Sequence, residues 1–298
     1  MSDFSTWNQK DHADKWLLFP ENIGTHLSLD ETSISNGELY TILTNKTAKG
    51  RKGALVGMCE GTTSSDIVSV FNKIPLASRE IVVEVTLDFS SAMEASARTS
   101  FPNARITTDR FHVQQLVSEA LQEMRVTLRW NAMREENALV KQARKDKKSY
   151  TPEVYSNGDT KKQLLARSRY LLFKTKTQWT PRQKQRADIL FREFPELEEA
   201  YNLSMSFRNV YHTSKTREEA QTRLGRWYKK VEEKKCDAFV TVAEYINNHE
   251  DTILNYFPDR HTNASAESFN AKLKGFRALV RGVRDVAFFL FRVSKIYG

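Results

Sequence analysis

The sequence predicts an α/β fold, a mixed five-stranded sheet flanked by helices, with a large all-helical stretch placed before the last helices. Three observations carry that expectation. Residues 25–61 break into apolar segments separated by Gly-containing turns, as a strand meander does. Residues 64–109 alternate helical and strand patterns, and from residue 113 onward apolar residues recur at the 3.6-residue period with no convincing strand.

The elements follow in order. THLSLDET, ELYTILTN and ALVGMCEG read as three strands, joined by SISNG and TAKGRKG. SSDIVSVFNKI opens on Ser and Asp and spaces Ile67, Val70, Phe71 and Ile74 as a helix does, with Pro75 as its stop. IVVEVTLD is a strand apolar on both faces, as an interior parallel strand is; a small-residue helix, SSAMEASARTSF, and a fifth strand, ARITTD, complete the series. The order βββαβαβ matches the core of the RNase H-like fold. ADILFREF, ELEEAYNLSMSFRNVYHT, REEAQTRLGRWYKKVEE and AFVTVAEYINNHEDTILNYF carry helical apolar stripes, and YTPEVYSNGDTKK, with Pro152 and Gly158, is the expected mobile break among them. The expected organisation is an N-terminal extension (1–23), the first part of the core (24–133), a basic helical insertion (134–258), and C-terminal helices that complete the core (259–298).

With 298 residues, 40% of them hydrophobic, the chain can bury a substantial core. Its two cysteines, Cys59 and Cys236, are far apart and outside metal-ligand spacing, as expected of core residues in a reducing cytoplasm. The N-terminal residues lack a signal-peptide pattern and no apolar run is long enough to span a bilayer, which predicts a soluble, cytoplasmic protein with no membrane partner. Neither a Gly-x-Ser-x-Gly nor a P-loop pattern is present, and neither cysteine has a His nearby in sequence, so covalent nucleophile chemistry finds little support. Net charge is +9, and residues 134–186 hold fifteen Lys and Arg against five Asp and Glu, a net +10 that accounts for the whole excess. Within that segment cations interleave with aromatics, the composition that meets phosphates while stacking on bases; a solvated helical face has the same composition. Lys147, Lys148, Arg167 and Arg169 are the DNA-contact candidates there.

Acidic residues supply the candidate chemistry. Asp30 in LSLDET and Asp88 in VTLDFS each end a predicted strand; if those strands are parallel neighbours, both carboxylates project at one end of the sheet. Such a pair suits a hard divalent cation, and a third acid would complete a two-metal site. The third candidate is Glu267 in HTNASAESFNAKLKGFRALVRG, a predicted helix capped by Thr262 or Asn263. Phe269, Leu273, Phe276 and Val280 form its apolar docking stripe, while Glu267, Asn270 and Lys274 share an adjacent face, the acid toward a metal and the other two toward phosphate. Taken singly, each acid also reads as ordinary: a turn residue at a strand end for Asp30 and Asp88, an exposed helix carboxylate for Glu267.

Together LSLDET, VTLDFSSAM, FPNARITTDRFHVQQL and NASAESFNAKLKGF resemble the catalytic domain of bacterial insertion-sequence transposases of the Asp-Asp-Glu class, in the branch whose RNase H-like core is interrupted by a helical insertion. The most specific stretch is FPNARITTDRFHV, because these enzymes carry a Cys or Asp, two residues, then His between their second Asp and the Glu; here that is Asp109 to His112. The resemblance runs from about residue 24 to the C-terminus. It implies that Asp30, Asp88 and Glu267 are catalytic and bind two Mg²⁺ or Mn²⁺ ions, with Asp109 and His112 as an accessory pair. Without it, that pair also reads as a helix N-cap and a core imidazole. The implied activity is strand cleavage of DNA followed by transfer of a 3′-OH to target DNA, with Asn270, Lys272, Lys274 and Arg277 among the strand contacts. The implied partners are element ends and target DNA, with a homodimer in the synaptic complex. Members of the class usually place a zinc-binding or helix-turn-helix module ahead of the catalytic domain, whereas here the first predicted strand begins at residue 25 and no Cys cluster precedes it. End recognition is therefore expected in the insertion, in a separate small DNA-binding protein, or in a part lost by truncation. Two other readings keep part of this picture: an RNase H-like structure-selective nuclease or resolvase, and a non-catalytic basic DNA-binding protein derived from a transposase.

Overall fold

The computed structural model describes residues 2–34, 38–280 and 282–298, so the SISNG turn falls in part outside the described residues. The chain divides into two compact units, Met1–His112 with Asp251–Gly298, and Val113–Glu250.

The first unit contains α1 (Ser2–Ser5), β1 (Trp16–Leu18), β2 (His26–Ser33), β3 (Leu39–Asn45), β4 (Leu55–Glu60), α2 (Ser64–Phe71), α3 (Leu76–Glu80), β5 (Glu84–Leu87), α4 (Ser91–Ser100) and β6 (Arg105–Thr108). Its sheet is mixed and has the order β1-β4-β3-β2-β5-β6. This is the expected α/β, RNase H-like architecture with one more strand than the predicted five. The addition is β1, three residues from the stretch read as an N-terminal extension, which pairs antiparallel with β4 through Leu17 and Met58. Pro75 does not simply stop a helix; it sits at the N-terminus of the short α3, where its fixed φ and missing N–H do no harm.

Because side chains alternate along a strand, the sheet has two faces, and one changes character halfway across. Leu27, Leu29, Val85, Leu87 and Ile106 form an apolar face against Ile67, Val70, Phe71, Met93, Ala97 and Phe101 of α2, α4 and the turn after α4. On the opposite face, Leu17, Tyr40, Ile42 and Met58 of β1, β3 and β4 are apolar, and they are covered by two C-terminal helices described below. In β2, β5 and β6 that same face carries His26, Ser28 and Asp30; Glu84, Thr86 and Asp88 with its strand; and Arg105, Thr107 and Asp109. The expectation that the IVVEVTLD strand is apolar on both faces therefore fails: the strand proper is only Glu84–Leu87, and one of its faces is polar.

The second unit is helical: most of α5 (Arg110–Lys145), then α6 (Lys161–Arg167), α7 (Pro181–Glu193), α8 (Pro195–Thr213), α9 (Arg217–Lys234) and α10 (Asp237–Asn248). Helices α8 and α9 pack around Trp227, whose ring centroid lies 4.9 Å from that of Phe207 and whose indole N–H donates to Leu203 O at 3.0 Å. The segment expected to be a mobile break is instead a closed turn. Tyr155 N–H donates to Asp159 O at 2.9 Å, Gly158 adopts φ +79, and the buried Asp159 carboxylate pairs with Arg167 and, at 2.9 Å, with Arg186. Two guanidiniums converging on one carboxylate pin what composition alone marks as a loose loop.

The chain re-enters the first unit through α11 (Glu250–Leu254) and α12 (Tyr256–Asp259), and ends with α13 (Ala264–Leu279) and α14 (Val286–Tyr297). Phe269 and Leu273 of α13 are buried on the apolar half of the sheet face with Phe289, Leu290 and Val293 of α14, and Phe276 and Val280 pack against the same cluster, so the expected stripe docks. Among the described residues no helix is long and apolar enough to cross a membrane.

Candidate active site

Strand register builds the site. β2 and β5 are parallel with Leu29 opposite Leu87, and β5 and β6 are parallel with Leu87 opposite Thr108. The next residues, Asp30, Asp88 and Asp109, therefore stand in one row across three neighbouring strands, the last two just past the carboxyl ends of β5 and β6, with strands spaced about 4.8 Å apart. Asp30 itself is not terminal: β2 runs on to Ser33 because it keeps its antiparallel ladder with β3 after β5 has ended.

Each acid is held. Asp30 is buried; its Oδ1 accepts from Glu31 N–H at 2.8 Å and its Oδ2 from Asn270 Nδ2 at 2.7 Å. Asp88 Oδ1 meets His112 Nε2 at 3.0 Å and accepts from Asn263 Nδ2 at 3.2 Å. Asp109 is buried, and its Oδ1 accepts from Asn263 N–H at 3.3 Å. Ligand atoms of Asp88, Asp109 and His112 all lie within 4.8 Å of one another, a span that a single cation can bridge. Glu267 is exposed and is not part of that tight group. It does lie at i+4 from Asn263, which touches Asp88, and at i−3 from Asn270, which touches Asp30, so all three share one face of α13.

The electrostatics are those of crowded acids. Burial, and next the charge of Asp88, push the Asp30 carboxyl up to about 7. Burial raises Asp109, and burial with Asp88 raises Glu31. His112 moves up as well, first through its hydrogen bond to Asp88. The side-chain oxygens of Asn263 and Asn270 are buried without a partner. Undercompensated carboxylates, an imidazole within coordination range and two orphaned amide oxygens fit a divalent cation with bound water.

Beneath this row lies a second polar layer. Glu84, fully buried, pairs with Lys46 at 3.0 Å, Arg105 at 2.9 Å and His261 at 2.9 Å. Burial alone would raise its carboxyl; Lys46, Arg105 and His261 outweigh it and hold the group down at about 2. Glu84, Asp259 and His261 also have metal-ligand spacing, but Lys46 and Arg105 already occupy the carboxylates, and a further cation would be repelled. The network serves instead to fix His261, two residues before Asn263.

A family model described as transposase, the ISL3-type DDE transposase family, matches residues 27–293. The chain belongs to this family. No curated protein and no solved structure matches it significantly. The transposase thus acts on DNA, and its family points to the use of a divalent metal, consistent with the acidic groups above.

Other sequence-predicted contacts are placed as follows. Asn270 is spent on Asp30 and Glu31 rather than facing outward. Lys272 Nζ donates to Gly50 O at 2.8 Å, and Arg277 donates to Val283 O and lies over the Phe289 ring, whereas Lys274 is exposed. In the helical unit Lys147, Lys148 and Arg169 are exposed, while Arg167 pairs with Asp159. Sequence reasoning missed Asn263 as a site residue: it occupies the N-cap position of α13, yet its side chain makes no capping bond and turns inward to Asp88 and to Leu29 O. A helix cap and an inward-turned amide are indistinguishable in a single sequence.

Proposed function

We propose that the transposase cleaves and joins DNA strands by phosphoryl transfer at a two-metal centre formed by Asp30, Asp88 and Glu267, with Asp109 and His112 beside it. The observation that carries this reading is the row of register-matched acids, in which Asp30 is driven up to about 7 by burial and Asp88. Two Mg²⁺ or Mn²⁺ ions bound there would supply the missing positive charge, activate an attacking water or 3′-hydroxyl, and stabilise the leaving oxygen.

The protein's part is positioning. His112 and the Asn263 amide orient Asp88, Asn270 orients Asp30, and the Asn263 N–H holds Asp109. With both amide N–H groups turned to carboxylates, the unpartnered amide oxygens are left to accept from water or a hydroxyl. A first reaction nicks the element end to expose a 3′-OH, and a second uses that hydroxyl to attack target DNA; no covalent link between protein and DNA is required. The helical unit, with Lys147 and Lys148, and Lys274 of the first unit would hold the strands. A homodimer would pair two ends, a separate small DNA-binding protein would help to read the terminal repeats, and the complex would work at the nucleoid.

The test is Asp88→Asn. Metal-dependent nicking and joining are expected to vanish while DNA affinity stays equal or rises, because a carboxylate that repels phosphate is gone. Equal nicking by the variant and wild type overturns the proposal, and cleavage without any strand joining assigns a nuclease instead.

A further inference from the structure

In the helical unit a buried arginine differs from the cations that pair with acids there. Lys162 pairs with Glu136 at 2.7 Å, and Arg167 and Arg186 share Asp159. Arg125, only 6% exposed, has no carboxylate partner among the described residues. Its Nε donates to Gln122 Oε1 at 2.7 Å and its Nη1 to Leu165 O, in the last turn of α6, at 3.0 Å. The Gln122 amide in turn donates to Arg169 O at 3.2 Å, which ties the Arg169 backbone to the same spot. Arg129 lies one helical turn beyond Arg125 on α5, an i, i+4 spacing at which like charges repel. Burial first, then Arg169 and Arg129, lower the Arg125 pKa.

Among the described residues no carboxylate pairs with this buried guanidinium or the two beside it, so a bound anion would relieve their mutual repulsion. An exposed aromatic borders the spot: Tyr170, 67% exposed, whose ring lies 5.4 Å from the Arg169 guanidinium carbon. A phosphodiester fits this surroundings well, since guanidinium forks bind phosphate oxygens in pairs while aromatic faces accept sugars and bases. The geometry points to Arg125, Arg129 and Arg169 as a clamp for one backbone phosphate of the DNA substrate. This rests on the DNA-binding reading above and gives the helical unit a defined point of attachment.

The test is binding of the full chain to a labelled duplex of arbitrary sequence, by fluorescence anisotropy across a salt series. The double variant Arg129→Ala/Arg169→Ala should weaken binding at least about tenfold and lower the salt slope by about one, for the single phosphate the clamp neutralises. The control Arg226→Ala/Lys229→Ala removes the same charge from exposed positions on α9 and should change both quantities far less. Arg125→Met should weaken binding without lowering the melting temperature of the free protein, since a purely structural arginine would lower it. Equal losses in the two doubles, or a melting temperature that falls in Arg125→Met while affinity holds, overturn the clamp alone. A wild type that binds no DNA overturns the DNA reading and the clamp with it.

Discussion

Glu84→Gln isolates the buried layer under the acids. The wild-type carboxyl is held at about 2 against an ordinary 4.5, chiefly by Lys46 once the opposing burial is overcome. At 1.36 kcal/mol per unit the difference amounts to roughly 3 kcal/mol, in the range of a buried pair broken by loss of one partner. A depressed acid stabilises the fold fully above its unfolded value and loses that contribution as pH falls through its folded value. The wild-type advantage should therefore be complete at pH 7, begin to shrink below about 4.5, and disappear near 2. Thermal melts of both proteins at pH 7 and at about pH 3.5 measure it, with a gap at pH 7 of roughly 6–12 °C for a unit of this size. Equal melting temperatures at pH 7, or a gap that widens on acidification, would refute the assignment of Glu84 as the hub that joins Lys46, Arg105 and His261.

Asn263→Ala deletes the amide that contacts Asp88 but keeps the N–H that contacts Asp109; Mn²⁺ affinity by calorimetry should fall about tenfold, as for other groups that orient metal ligands. Asp159→Asn leaves Arg167 and Arg186 without their shared carboxylate, and limited proteolysis should then cut within residues 150–162, where the wild type resists. Phe269→Ala empties a fully buried position between α13 and the sheet, and a loss of about 3–5 kcal/mol should lower the melting temperature with no new cleavage in the helical unit.

What the sequence made legible were features that repeat. The α13 stripe is read from four apolar residues at helical spacing, and the strands that lead to Asp30 and Asp88 from short apolar runs between turns. Features resting on a single residue meeting a distant one were not legible. β1 is three residues long, too short for a period to show, and exists because Leu17 finds Met58. Asp159 looks like a turn residue until Arg186, 27 positions later, reaches it. The polar layer of Glu84, Lys46, Arg105 and His261 joins four separate segments, and in IVVEVTLD its central acid is one Glu among valines. The acids were visible as a type and a position, and Asp109 and His112 as a pair beside them; the inward turn of the Asn263 amide rests on a contact with distant Asp88 that local pattern does not encode.

The matched register of Leu29 with Leu87 and Leu87 with Thr108 makes the acidic row intolerant of changes in length. Deleting one residue between His26 and Leu29 would turn Asp30 to the opposite side of the sheet, among Val85, Ile106 and the helices that cover them, while every amino acid the chemistry needs was still encoded. Added residues in the turn between Lys46 and Ala54 leave that alignment untouched. In-frame loss or gain of a single codon in β2 or β5 should therefore silence the enzyme as completely as loss of an acid.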